Sequence, residues 1–332
     1  MEAVAAIIIA VLIGSVMGVA VYKKASQVND AKEIEACRNS IINAAQSKKF
    51  SLAAGEKTGT PLFPIDCQRR TTVIKKKDVV GKDGRINQDK AHKIIADEMK
   101  KCWYMAGEGK VDPFSNWDNK DETYCMVCTT IEYDNDLRRF INNKMDSYTG
   151  KTFSQAERIE LNSKYQITSP LEYLKKPLAS GSELSYWEYL YGEKSVEYSE
   201  EELNAINDMI VLPSSQIIIQ MYKSDGKIPA WKGFLYGLGT ASVLAGVWVG
   251  AVLLAPATLG SSLALGVKIS ILLGTTVFMM SNPITHSYKE CPECNGIGGV
   301  TIVPQGQDLN IETEFEIDGK TVRKPYCSVL VN

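Results

Sequence analysis

Thr123–Asp134 reads TYCMVCTTIEYD, and the reading of this stretch decides how the polar part of the chain folds. It is rich in β-branched and aromatic residues, the signature of a strand. Residues three apart on a strand face opposite sides of the sheet, so Cys125 and Cys128 are expected to seek different partners. A zinc knuckle would need a turn at the same point. The strand reading favours disulfides, while the Cys-x-x-Cys spacing keeps zinc as the alternative.

Working outward from this stretch, the periodicity predicts a helix over 87–106, with Ile94, Ile95, Met99, Cys102 and Trp103 on one face. Residues 66–80 read as β, with Lys75–Asp78 as a polar edge or hairpin end. Upstream, no glycine or proline occurs between Ala20 and Ala54. Val28, Ala31, Ile34, Cys37, Ile41, Ile42 and Ala45 recur there at helical spacing, which predicts an amphipathic stalk. Residues 136–181 read as mainly helical and polar, and Ser215–Tyr222 (SQIIIQMY) as a strand. The tail after Cys294 is β-like, with a turn at Asp318-Gly319. It is too short to build a core alone and is expected to pack on the larger domain.

The eight cysteines are Cys37, Cys67, Cys102, Cys125, Cys128, Cys291, Cys294 and Cys327. An even number confined to polar regions fits a disulfide framework in an oxidising compartment. We expect all eight to be structural, with Cys37 paired to Cys67 and Cys327 to Cys291 or Cys294. The zinc alternative uses Cys125, Cys128, Cys291 and Cys294. The stretch CPECNGIGG (291–299) also matches one Cys-x-x-Cys-x-Gly-x-Gly unit of the chaperone zinc domain, but it occurs once.

Three apolar blocks dominate the hydropathy. Ala3–Tyr22 carries no charge and closes on Lys23 and Lys24. Residues 234–254 and 259–280 flank the turn Ala255-Pro256-Ala257-Thr258. Each block approaches the ~20 residues that cross a bilayer as a helix. The first lacks a basic n-region and a clear cleavage site, so it reads as a retained anchor.

The expected fold class is therefore an α+β extracytoplasmic domain on three transmembrane helices, one N-terminal span plus a C-terminal helical hairpin. The corresponding domains are 1–22, the anchor; 23–231, a helical stalk and mixed head; 232–281, the hairpin; and 282–332, a β-rich tail. The expected location is a multi-pass cell-membrane protein with its main domain and tail outside.

Within the hairpin, Gly233/Gly237 and Gly246/Gly250 have GxxxG spacing, and Gly266 lies in the next block. Small residues let helices approach closely in lipid. Lys268 is an intramembrane charge on this reading, costing at least about 2.5 kcal/mol unless it snorkels or pairs. Tyr186, Trp187, Tyr189 and Tyr191 form an aromatic cluster, read either as core or as a partner surface.

The run Cys102-Trp103-x-x-x-Gly107-Glu108-Gly109-Lys110-x-Asp112, followed by Cys125-x-x-Cys128, resembles a pattern in an uncharacterised group of membrane-anchored, cysteine-motif surface proteins of small-genome archaea. The tail elements, Cys291-x-x-Cys294 and Tyr326-Cys327, are similar to theirs. The resemblance covers two short regions. It implies an extracytoplasmic cysteine-containing domain and no particular activity. The long N-terminal helix is also similar to that of pilin-like subunits, which lack the extra hairpin.

Chemistry is sparsely signalled. The chain has two histidines, His92 and His286, each read as structural or solvated. No nucleophile elbow, zincin, P-loop or dinucleotide fingerprint is present. Asp112, Asp118, Asp121 and Glu122 do not have EF-hand spacing and read as a solvated loop. A net charge of -2 gives no support to nucleic-acid binding. The sequence thus points to a non-enzymatic structural or interaction protein of the cell envelope, in contact with membrane lipid and oligomeric with itself or with other envelope proteins. It needs no cofactor unless the zinc alternative holds. The alternatives are a pore or channel subunit built on the glycine-rich hairpin, and a membrane thiol oxidoreductase or zinc-binding adaptor.

Overall fold

The computed structural model describes residues 30–48, 63–108, 110–115, 122–148, 151, 153–191, 210–223, 296–303, 312–317, 320–325 and 329–331. The first described element is helix α1, over residues 30–48. Strand β1 (Arg70–Ile74), the short helix α2 (Lys76–Val79), helix α3 (Gln88–Met105) and strand β2 (Glu122–Tyr133) follow. β1 and β2 pair in parallel, and a parallel pair needs a crossover, which α3 provides.

β2 is the hub of the sheet. One edge pairs along its length with antiparallel β3 (Ser215–Lys223). The other edge is shared by β1, opposite Thr129–Tyr133, and by parallel β7 (Val329–Val331), opposite Tyr124–Met126. β4 (Gly296–Val303) continues the sheet beyond β3. Strands from the tail thus complete the sheet begun by residues 70–133. A separate hairpin joins β5 (Glu312–Ile317) and β6 (Lys320–Pro325).

Helix boundaries follow local chemistry. Asn87 caps α3 by accepting from the Lys90 amide at 3.1 Å, an interaction worth about 1 kcal/mol. Asp134 caps α4 (Asn135–Asp146) through the Leu137 amide at 2.8 Å. The same carboxylate accepts from the Lys76 amide at 3.2 Å. This remote cap is why Lys76–Val79 forms a helical turn where the sequence suggested a hairpin end. α5 (Gln155–Tyr165) starts in a Ser154/Glu157 capping box. α6 (Leu171–Leu174) and α7 (Tyr186–Tyr191) are short.

The core lies between the sheet and the helices. Ile34, Cys37 and Ile41 of α1 meet Ile95, Met99, Cys102 and Trp103 of α3 against Ile131, Ile217, Ile219 and Val300 of the sheet. A smaller cluster of Cys125, Val127, Ile218 and Val303 occupies the opposite face.

The expected fold class and membrane location are corrected by this structure. The described residues form a mixed α/β fold, and no helix among them is long and apolar enough to cross a membrane. The long helices show why. α1 carries Asp30, Lys32, Glu33, Glu35 and Arg38, and α3 carries Asp89, Lys93, Asp97, Glu98 and Lys101. Each has a single apolar stripe, which the sheet covers. The apolar blocks 3–22, 234–254 and 259–280 lie outside the described residues. So do Gly233, Gly237, Gly246, Gly250, Gly266 and Lys268.

Candidate functional site

β2 carries one irregularity, and it shapes the most chemically distinctive part of the molecule. The register with β3 steps between Val127 and Thr129, which leaves Cys128 as the extra residue of a bulge. Before the step, Tyr124 and Met126 face the main core while Cys125 and Val127 face away. After it, Ile131 and Tyr133 face the main core. Cys128 keeps the phase of Tyr124 and Met126 and points into the main core. The bulge shifts the alternation by one so that Thr129, whose partner across β3 is the core residue Ile217, lies on the same face.

α3 supplies the other half. Cys102 is fully buried and free, and Cys128 is buried and free as well; Cys128 is a neighbour that acts on the Cys102 thiol. Thr129 Oγ1 is buried without a hydrogen bond of ordinary geometry; its polar neighbour is the soft Cys102 sulfur. Burial pushes the Cys102 thiol well up, and Cys128 and the Glu98 carboxylate add to the effect. Glu98 lies one turn before Cys102 on the same face of α3.

An ion network closes this end of the α1–α3 seam. Glu98, itself only 5% exposed, accepts from Arg70 Nη1 at 3.1 Å and from Lys101 Nζ at 2.7 Å. Asp30 of α1 accepts from Arg70 Nη2 and, at 3.4 Å, from Lys101. Burial works against the Arg70 cation, but Glu98 and Asp30 outweigh it and hold its pKa above the ordinary value. Arg70 is positioned by register, opposite Thr129 in the β1–β2 pair.

A second cluster ties the far end of the seam. Gly107 has φ 83°, and a Cβ there would lie 2.4 Å from Val111 Cγ2. Glu108 follows at φ 57°, a left-handed conformation costing about 1–2 kcal/mol. Its carboxylate accepts from Arg38 at 2.9 Å, from the Tyr189 hydroxyl at 2.9 Å and from Lys110 at 3.4 Å. Arg38 also stacks 4.0 Å from the Tyr104 ring centroid and donates to the Tyr104 carbonyl. Partial burial would raise the Glu108 pKa, but Tyr189 and Arg38 reverse this and hold the carboxyl below its usual range.

The seam is also stapled covalently. Cys37 and Cys67 are disulfide-bonded, as expected for this pair. Cys125 is disulfide-bonded as well. Cys37 and Cys67 pair with each other and Cys102 and Cys128 are free, so the partner of Cys125 lies outside the described residues, where Cys291, Cys294 and Cys327 also lie. Cys102 and Cys128 are unbonded in this structure. The zinc alternative needs Cys125 and Cys128 on one ion, yet the two face opposite sides of β2. Among the described residues no group of three or more His, Cys, Asp or Glu could hold a metal.

Of the two readings of the aromatic cluster, core is the one met at Tyr186 and Trp187. Tyr186 and Trp187 are 1% and 2% exposed, because α7 turns its aromatic face onto α3. The Tyr186 hydroxyl donates to Asp97, and Tyr189 is held by Glu108. Tyr191 ends α7. His92 is buried, and its Nε2–H donates to the Thr168 carbonyl at 3.0 Å. Burial lowers its pKa to about 4. Asp112 caps its own turn through the Phe114 amide at 2.8 Å, and His286 lies outside the described residues.

Sequence reasoning missed Asp30, Arg70, Glu98 and Arg38. One signal for Glu98 was present: it adjoins the apolar face formed by Ile95, Met99 and Cys102, where a charge calls for a buried partner. No family model, curated protein or solved structure matches the chain.

Proposed function

We propose that this chain is a structural or interaction protein, acting as a disulfide-stapled part of an oligomeric assembly rather than as an enzyme. The observation that carries this reading is the use of its charged groups. Asp30 ties α1 to Arg70 of β1, Glu98 ties α3 to the same Arg70, and Arg38 ties α1 to Glu108 in the turn after α3, which stiffens the seam instead of presenting a reactive group. A general acid or base works best with a pKa near the operating pH. Here burial drives the Cys102 thiol up and takes His92 down to about 4. A thiol oxidoreductase needs an accessible thiol with a lowered pKa, the opposite of Cys102. Among the described residues no strand covers the outer edge of β1 or of β4, and open edges are pairing surfaces.

Two measurements on the full chain test this reading: mass by multi-angle light scattering, and turnover in an insulin-reduction assay with dithiothreitol. The expected result is an oligomer of defined mass with no turnover above the dithiothreitol background. A strict monomer across the concentration range would overturn the assembly reading. Turnover lost in Cys102→Ser would overturn the non-enzymatic one.

A further inference from the structure

We propose that Cys102 and Cys128 are a cross-linking site, closing to a disulfide that joins α3 to the bulge of β2. The geometry leads there by three independent steps. Cys128 keeps the phase of Tyr124 and Met126, opposite Cys125, and so faces the main core. Cys102 sits on the sheet-facing stripe of α3 with Ile95 and Met99. Both thiols are free and buried, and each is near enough to the other to act on its titration. Among the described residues a thiol pair in this position meets no competing cysteine, since Cys37 and Cys67 are joined to each other and Cys125 faces the other side.

The same domain already holds disulfides at Cys37–Cys67 and at Cys125, so the chemistry that oxidises those also meets Cys102 and Cys128. The step is thiol–disulfide exchange with an exogenous disulfide. One cysteine, as thiolate, attacks a sulfur of that disulfide and releases one thiol, giving a mixed disulfide. The second cysteine, deprotonated in turn, attacks the protein sulfur and releases the other thiol. The pair loses two hydrogens, and the exogenous disulfide is reduced to two thiols. Both side chains are shielded in the folded protein, so the exchange takes place while α3 is still undocked. Once α3 docks, the bond is out of reach of reductants.

The test is a peptide map of the full, unsubstituted chain, purified without reductant from an oxidising expression compartment and denatured in excess iodoacetamide. A preparation in which the Cys37–Cys67 link is present serves as the sample, since that link shows that oxidation has taken place. The expected result is a cross-linked pair of peptides containing Cys102 and Cys128, about two hydrogens lighter than their sum. Reduction before alkylation should split the pair and label both residues. Iodoacetamide on both cysteines of the unreduced chain would overturn the proposal, and so would a link from either one to a third cysteine. Neither outcome bears on the assembly reading above.

Discussion

The two ends of the α1–α3 seam solve one problem in different ways. At the Arg70 end the charges are buried, with Arg70 and Glu98 side chains 9% and 6% exposed. At the Glu108 end the central pair is somewhat more open, with Arg38 and Glu108 side chains 16% and 19% exposed, and Lys110 is 67% exposed. The inner cluster is assembled from α1, β1 and α3, so it exists only when all three are docked. The outer one grows from a contiguous turn, Tyr104–Lys110, to which Arg38 and Tyr189 are added. The comparison teaches that burial, not the number of partners, sets how much each cluster governs stability. A buried charge stripped of its partner cannot turn to water for compensation.

The largest effect should come from removing what holds both ends together. Cys37→Ser combined with Cys67→Ser frees a loop of sequence separation 30, and the chain-entropy relation gives a loss of about 3–4 kcal/mol. Denaturant unfolding should show the midpoint falling by that amount. An unchanged midpoint would mean that the two ion clusters hold α1 without the staple. Next, Glu98→Ala should cost about 3 kcal/mol, because it leaves Arg70 buried beside Asp30 alone. The double replacement Arg70→Met, Glu98→Leu should cost less than Glu98→Ala, and the reverse ranking would refute the desolvation argument.

His92 lies outside the seam and provides a control in pH. Its folded pKa of about 4 is below the unfolded 6.5, so the unfolded chain binds the extra proton between these values. Its contribution is complete above pH 6.5 and declines as pH falls towards 4, by roughly 2 kcal/mol at pH 5. His92→Gln should flatten that window in thermal unfolding curves. Smallest of all, Glu108→Gln should cost about 1 kcal/mol near neutrality. The Glu108 pKa is depressed, so the difference between wild type and variant should persist above about pH 4.5 and vanish as pH drops below it. A Glu108→Gln loss as large as that of Glu98→Ala would erase the distinction between the two ends.

Much of this fold was legible in the sequence, for local reasons. The α3 stripe of Ile95, Met99, Cys102 and Trp103 repeats at helical spacing, and the strands at 122–133 and 215–223 carry their β-branched and aromatic signature. The separation of Cys125 from Cys128 followed from strand alternation alone. The candidate site was less legible. Arg70 meets Glu98 across 28 residues and Arg38 meets Glu108 across 70, and no short-range pattern encodes such pairs. The aromatic run at Tyr186 left two readings open because composition cannot distinguish an aromatic face turned inward from one turned outward.

By itself, then, the sequence determined the identity of the main helices and strands and the opposite orientation of Cys125 and Cys128, since both depend on neighbours within a few residues. Only the tertiary structure decided that Cys128 faces Cys102, because α3 docks on the side of β2 that carries Tyr124, Met126 and Cys128. It alone decided that the tail strands flank β2 and β3, and that Arg70 and Glu98 share a buried site. Those outcomes depend on register and docking, where contacts distant along the chain compete and burial selects among them.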